Sequence, residues 1–503
     1  MKAAIEHALM AWTGKRLPSG ATVDELLRVD GVPLWWVFER FVRQSLLPKP
    51  LAPFGGICEA FAEGSRPFPS LWRVLLLREP LLLNERLKWR GKKPVPYLSL
   101  SRPPVVFLTY AHYIFTEHGK ARLYRIEPVV ERLQRTGVEP LVLTVHSLSR
   151  HGGTLAFPTI YDFLQPLIKK KAASSATQLT HAWRRVATKE REHLLRVGDR
   201  SLYPYLRGHL SLLFSWQFLY IFLVYYLTIK EIAVRNHVRA FYLTSSVGLF
   251  EKCCLLAGNV LGIPVFVAQH GSGVGFGKIR KELLVPVTFL VFGRKHKEKL
   301  LAMGVPGSNI VVTGSPMADE IARLPAKKSS ELQHALVLTQ PFVEDALWSE
   351  GQRRRFFAVL KQVMNKLPQV AFVIKPHPRE KRLLYEKAFD GVRVSDAPLY
   401  EELTRADLVF GVNSTALMEA LLLNRPVIVL DLFRQAGQES HVCAGLSLRV
   451  AHAGEFDQRV SSYLAFYRSR TFDLLRKHYI EDFFFRIDGK AAERIVQVIT
   501  ARS

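Results

Sequence analysis

The chain of 503 residues carries 70 Lys and Arg against 44 Asp and Glu, a formal net charge of +26. Its length exceeds one ordinary core and predicts about two to four domains of roughly 100 to 200 residues each. A composition of 48% hydrophobic and 23% charged residues excludes a disordered or low-complexity chain. The four cysteines, Cys58, Cys253, Cys254 and Cys443, supply neither a disulfide framework nor the paired CxxC spacing of a zinc site, and fit a reducing compartment.

In chain order, residues 1–30 lack a long apolar run and a small-residue cleavage site, so no secretory signal is expected and the protein is expected to stay inside the cell. Residues 1–100 predict a helical N-terminal extension with a capped helix start at 22–26 (TVDEL) and a proline-rich exit at Pro94, Pro96, Pro103 and Pro104. From there the pattern turns to short β-branched runs alternating with amphipathic stretches, the mark of a parallel sheet built from βα units. Strands are expected at 105–109 and 140–145, with a helix at 123–136 between them. A helical insertion at 161–236 follows, and the alternation resumes with strands at 240–244, 265–268, 288–292 and 310–313. Within the insertion, 210–229 (LSLLFSWQFLYIFLVYYLTI) approaches spanning length and reads either as a buried helix or as an interfacial membrane helix.

The polar run 326–331 (AKKSSE) predicts a connection between domains 101–325 and 326–503. The second unit shows strands at 335–339, 370–374, 408–410 and 427–430, helices at 346–367, 399–405 and 415–423, and a helical tail from Phe456. The fold class is therefore α/β, with two Rossmann-like domains and no short-period internal repeat.

Ligands of open parallel sheets bind outside the carboxyl ends of the strands, so residues just after strands are the candidates. Gln269, His270 and Gly271 lead into 272–277 (SGVGFG), whose glycines suit either a phosphate loop or a plain flexible turn. Lys375, Pro376, His377 and Pro378 form a stiff, cationic turn suited to a diphosphate, with Arg379 adding charge. Asn413, Ser414 and Thr415 open a helix whose N-terminus attracts anions, Ser414 also reading as an N-cap. Glu419 lies one turn deeper on the same face and reads either as an acceptor for ribose hydroxyls or as a plain surface glutamate. Thr313, Gly314, Ser315 and Pro316 make a small-residue loop that lines an interdomain cleft or simply turns the chain, and Tyr110, His112 and 117–120 (EHGK) follow the first strand, where an acceptor would sit.

AQHG at 268–271, VTGSP at 312–316, IKPHP at 374–378 and NSTALMEALLLNRPVIV at 413–429, in this order and spacing, resemble bacterial glycosyltransferases of the two-domain GT-B fold. The resemblance is to capsule polysaccharide biosynthesis proteins, with related arrangements in polysialyltransferases and CDP-glycerol glycerophosphotransferases, and covers about residues 105–503. It implies that Lys375 and His377 hold the donor nucleotide phosphate, that Ser414 and Thr415 form the phosphate-facing helix end, that Glu419 binds ribose and that His270 is the general base. Gly314 and Ser315 are counted with the donor site. The acidic pair before glycine that marks polysialyltransferases is absent, and residues 1–100 have no counterpart.

The expected activity is transfer of a sugar from a nucleotide-activated donor to a growing or lipid-linked surface polysaccharide. No metal is needed in principle and no cofactor is expected beyond the donor itself. The alternatives are a UDP-N-acetylglucosamine 2-epimerase-like enzyme, a CDP-glycerol-type polyol-phosphate transferase, and a non-catalytic membrane-surface scaffold. Most of the positive surplus is left for an anionic or lipid-linked acceptor and the inner face of the membrane. Nucleic acid is not an expected partner, because the chain has no zinc-finger spacing, aromatic RNA-binding signature or basic zipper.

Overall fold

The computed structural model describes residues 2–43, 58, 61–62, 71–89, 100, 102–117, 120–123, 125–145, 157–271, 286–325, 328, 331–345, 347–433 and 440–503. Six parallel strands form a first sheet: β1 Val105–Tyr110, β2 Pro140–Val145, β3 Ala240–Leu243, β4 Val265–Ala268, β5 Val287–Val291 and β6 Ile310–Val312. They lie in the order β6-β5-β4-β3-β1-β2. A second parallel sheet is built from β7 His334–Leu338, β8 Ala371–Lys375, β9 Arg393–Val394, β10 Leu408–Gly411, β11 Val427–Leu430 and β12 Ser447–Val450, ordered β9-β8-β7-β10-β11-β12. In both sheets the strand order reverses at the first strand, so the carboxyl ends of β1 and β3, and of β7 and β10, each border a crevice. The α/β class and the two Rossmann-like halves are as the sequence predicts.

The strands are apolar throughout because both faces of each sheet are covered. Along β1, Val106 and Leu108 enter one core, while Val105 and Phe107 enter another beneath helix Glu127–Gln134 and the last helix of the chain. Ile5, Trp12, Trp36 and Phe38 belong to the first of these cores together with the insertion helices. The described part of residues 1–100 is thus built into the first domain.

Several local expectations change. The predicted helix at 123–136 begins only at Glu127, because Ile114–Glu117 and Lys120–Leu123 pair as an antiparallel hairpin. Pro128 suits the first turn, where its missing N–H costs nothing, and the Glu127 carboxylate accepts from Leu123 N–H at 3.2 Å and Arg122 Nε at 2.7 Å. The apolar stretch 210–229 is not one helix: Ser215 separates Tyr203–Leu213 from Trp216–Arg235 and caps the latter, its Oγ accepting from Phe218 N–H at 3.3 Å. Trp216–Arg235 is long and apolar enough to cross a membrane, but 67% of its apolar window is buried between helices Pro166–Arg185 and Leu249–Leu261. Its apolarity is accounted for by this core.

A two-copy unit also emerges. LLRV occurs at 26–29 and 194–197, each time after a helix whose third residue reaches back to the cap: Glu25 accepts from Thr22 N–H at 2.7 Å and Glu190 from Ala187 N–H at 2.6 Å. A tight hairpin follows in both, closed by Leu34 N–H to Leu27 O at 2.9 Å and Leu202 N–H to Leu195 O at 2.7 Å.

At the other end, helices Phe456–Tyr467 and Arg470–Phe483 precede Ala491–Arg502, which returns to the first domain. The buried Asp319 carboxylate accepts from Ala491 and Ala492 N–H, both at 2.8 Å, capping this helix with an anion where the helix dipole favours one. Asp319→Ala is expected to cost about 1–2 kcal/mol, measured by urea unfolding, and Asp319→Asn less.

Candidate functional site

A pocket opens between the two sheets, lined by Arg125, His270, Ser315, Met317, Thr415 and Glu419 with apolar Phe292, Ile321, Leu422 and Phe484. Four of the sequence-predicted residues, two from each domain's side of the connection, therefore meet here: His270 and Ser315, Thr415 and Glu419. The domains approach closely: a Cβ on Gly271 would lie 3.4 Å from Thr415 Oγ1. The glycine-rich run at 272–277 lies outside the described residues.

His270 follows β4, and its Nδ1 contacts the Thr244 carbonyl at the end of β3. A carbonyl only accepts, so Nδ1 carries the proton and Nε2 holds the lone pair. Burial, assisted by the positive charge of Arg125, lowers the imidazole pKa below its ordinary value of 6.5. The ring is thus a neutral base of fixed tautomer at the pocket wall.

Glu419 is buried on helix Thr415–Leu422, and burial pushes its carboxyl up to about 7, with Glu320 adding repulsion. Its Oε2 has no hydrogen-bond partner among the described residues. A buried, unsatisfied carboxyl oxygen is costly, which suits a group whose partner is a ligand. Ser414 caps the same helix, its Oγ accepting from Ala416 N–H at 3.2 Å, so the expected N-cap is present.

The IKPHP turn departs from the cationic site expected of it. The Lys375 ammonium donates to the Ala397 carbonyl and does not line the pocket; its burial lowers its pKa, against the pull of Glu402, Asp396 and Glu401. Burial and the neighbouring Arg379 push His377 down to about 4, so its imidazole is neutral. Its Nδ1 accepts from Arg379 N–H at 3.2 Å, which leaves the proton on Nε2 as a donor. Arg379 forms a forked pair with Asp345 at 2.6 and 2.7 Å. Beneath the turn, Glu380 accepts from the His377 N–H at 3.0 Å and from the hydroxyls of Thr339 and Tyr385, and so fixes the loop.

Gly314 is likewise explained by packing. It sits at φ 81°, and a Cβ there would approach Arg494 Nη2 at 3.0 Å and Ala491 Cβ at 3.2 Å. It seats the returning helix, leaving Ser315 to the pocket. Near the first-domain crevice, Tyr110 donates to Glu251 at 2.7 Å.

Arg125 escapes the sequence reading. It is the one cation among the described lining residues of the pocket, has φ 75°, and holds its guanidinium 4.2 Å from the Tyr113 ring centroid. A non-glycine residue in that conformation costs about 1–3 kcal/mol and concentrates at functional sites, but nothing in the string LYRIEP announces it.

A family model described as UDP-N-acetylglucosamine 2-epimerase matches residues 288–500. That span holds the last strands of the first sheet, the whole second sheet and the closing helices. No curated protein matches the chain. Among solved structures, an S. aureus MnaA–UDP complex is 14% identical over 79% of this chain and 96% of its own, with TM-score 0.47. A Neisseria meningitidis UDP-GlcNAc 2-epimerase bound to UDP-GlcNAc is 12% identical over 79% and 100%, with TM-score 0.47. The wall teichoic acid polymerase TagF is 10% identical over 86% and 97%, with TM-score 0.43. The chain's own two parallel six-stranded, Rossmann-like sheets give it an α/β fold of the GT-B-like kind.

Proposed function

We propose that the chain is an enzyme acting on a nucleotide-activated sugar, and that it transfers the sugar to a surface polysaccharide acceptor. The observation that carries this reading is the pairing across one cleft of a neutral His270 base and Arg125 on one domain with the Thr415 helix end and Glu419 on the other. In the reaction, an acceptor hydroxyl attacks the anomeric carbon, the carbon–oxygen bond to the donor phosphate breaks, and the hydroxyl proton passes to His270 Nε2. Arg125 and the helix N-terminus stabilise charge developing on the leaving phosphate, and the neutral His377 donates a hydrogen bond from Nε2. Glu419 accepts from ribose hydroxyls.

A thermal-shift screen of CMP, CDP, UDP and GDP tests donor binding: the matching nucleotide at about 100 times its Kd raises stability by about 2.7 kcal/mol. If none shifts the melting temperature, the donor site is misassigned. A second reading, epimerisation, is favoured by the family match and by two acid/base groups at the cleft, the His270 imidazole, held below its ordinary 6.5, and the Glu419 carboxyl, pushed up to about 7. Incubation with UDP-GlcNAc alone in D2O separates the two: an epimerase converts it and incorporates deuterium, whereas a transferase leaves the sugar unchanged until acceptor is added.

A further inference from the structure

We infer that the first domain docks on anionic lipid bilayers through a face formed by helix Leu71–Trp89 and the start of helix Pro166–Arg185. The start of the latter carries Lys169, Lys170 and Lys171, and the helix has no acidic residue. Lys170, Lys171 and Arg86 are exposed. Among these cations stand three leucines held in water: Leu167 at 62%, Leu83 at 59% and Leu87 at 52% exposure. Leu83 and Leu87 are one helical turn apart and so share a face.

Beneath this surface, buried aromatic rings tie the two helices together. Lys169 Nζ lies 5.6 Å from the Trp89 ring centroid, Trp89 meets Tyr220 at 5.9 Å, and Trp216 stacks on Tyr220 at 4.9 Å. The half-exposed Trp216 then donates from Nε1 to Thr177 Oγ1 at 3.1 Å, back on the lysine-bearing helix. Lys88 is spoken for by Glu85 at 2.5 Å and contributes little charge.

Exposed leucines, lysines with long apolar stems and an indole at their base are the composition of a surface that sits at the headgroup level of a membrane. A soluble polyanion would use the lysines and gain nothing from the leucines, which is why the chemistry points to lipid. The inference is independent of the reading of the cleft, since none of these residues lines the pocket.

The test is co-sedimentation of the full chain with phosphatidylcholine vesicles, with and without phosphatidylglycerol. The wild type is expected to partition onto the anionic vesicles and to be released by salt. Lys170→Gln/Lys171→Gln should lower partition about fivefold per charge removed. Leu87→Gln/Leu167→Gln should also lower it, while retention on a heparin column and the melting temperature stay as in wild type. Equal binding to neutral and anionic vesicles, no binding to either, or leucine variants that partition like wild type would each overturn the proposal, the last pointing to a soluble polyanion.

Discussion

His270→Asn is expected to lower turnover by about 10²- to 10⁴-fold with nucleotide binding retained. Asparagine can still donate to the Thr244 carbonyl, as Nδ1 does now, so the loop keeps its anchor and only the lone pair at Nε2 is lost. The pH profile gives a second readout. Burial and Arg125 hold the imidazole below its usual 6.5, so the base stays unprotonated through neutrality, and the acid limb of kcat/KM should fall below that value. The same sign governs stability: the buried neutral ring resists protonation, and its contribution is lost as acid forces charge onto it. An acid limb above 6.5, or a fully active asparagine variant, would remove His270 from the mechanism.

Glu419→Gln should act in opposite directions on stability and on binding. The folded carboxyl titrates at about 7 against 4.5 in an unfolded chain, so folding favours the protonated form. That contribution is complete below about 4.5 and lost once pH has risen through 7, a difference of about 3 kcal/mol at 1.36 kcal/mol per unit. Glutamine does not titrate, so the ligand-free variant should be more stable than wild type at pH 8, with the gap closing as pH falls. Donor affinity should drop, because the amide replaces one acceptor oxygen by a donor that ribose hydroxyls meet less well. Denaturant midpoints at pH 5 and pH 8, with and without nucleotide, check both halves. A variant destabilised at pH 8 would place Glu419 in a structural role alone.

What the sequence revealed and what it hid divide along physical lines. Strands such as Val105–Tyr110 and Val427–Leu430 were legible because strands covered on both faces must be apolar throughout, and their order followed from alternation with helices. His270, Ser315, Thr415 and Glu419 were legible for a related reason: they stand at or just beyond strand ends, where such sheets place ligands. Side-chain direction was not. Lys375 carries the right charge at the right strand end, yet its ammonium satisfies a carbonyl in its own domain. The hairpin at Ile114–Leu123 has no counterpart in the sequence reading, which takes 117–120 as part of the segment after the first strand and starts a helix at Leu123, because short segments of mixed polarity fit either period. Arg125 was invisible, since its placement depends on a left-handed backbone that only tertiary packing enforces.

The chain crosses between its halves twice, once after β6 and again as it enters helix Ala491–Arg502. These crossings touch: a Cβ on Gly314 of the first would lie 3.4 Å from Phe484 O and 3.2 Å from Ala491 Cβ of the second. Two tethers side by side act as the pin of a door. Such a pairing is expected to favour one rotation of the halves over a sliding of His270 past the Thr415 helix. On that expectation, a cross-link spanning the mouth of the cleft should slow nucleotide binding and nucleotide release together, measured by stopped-flow.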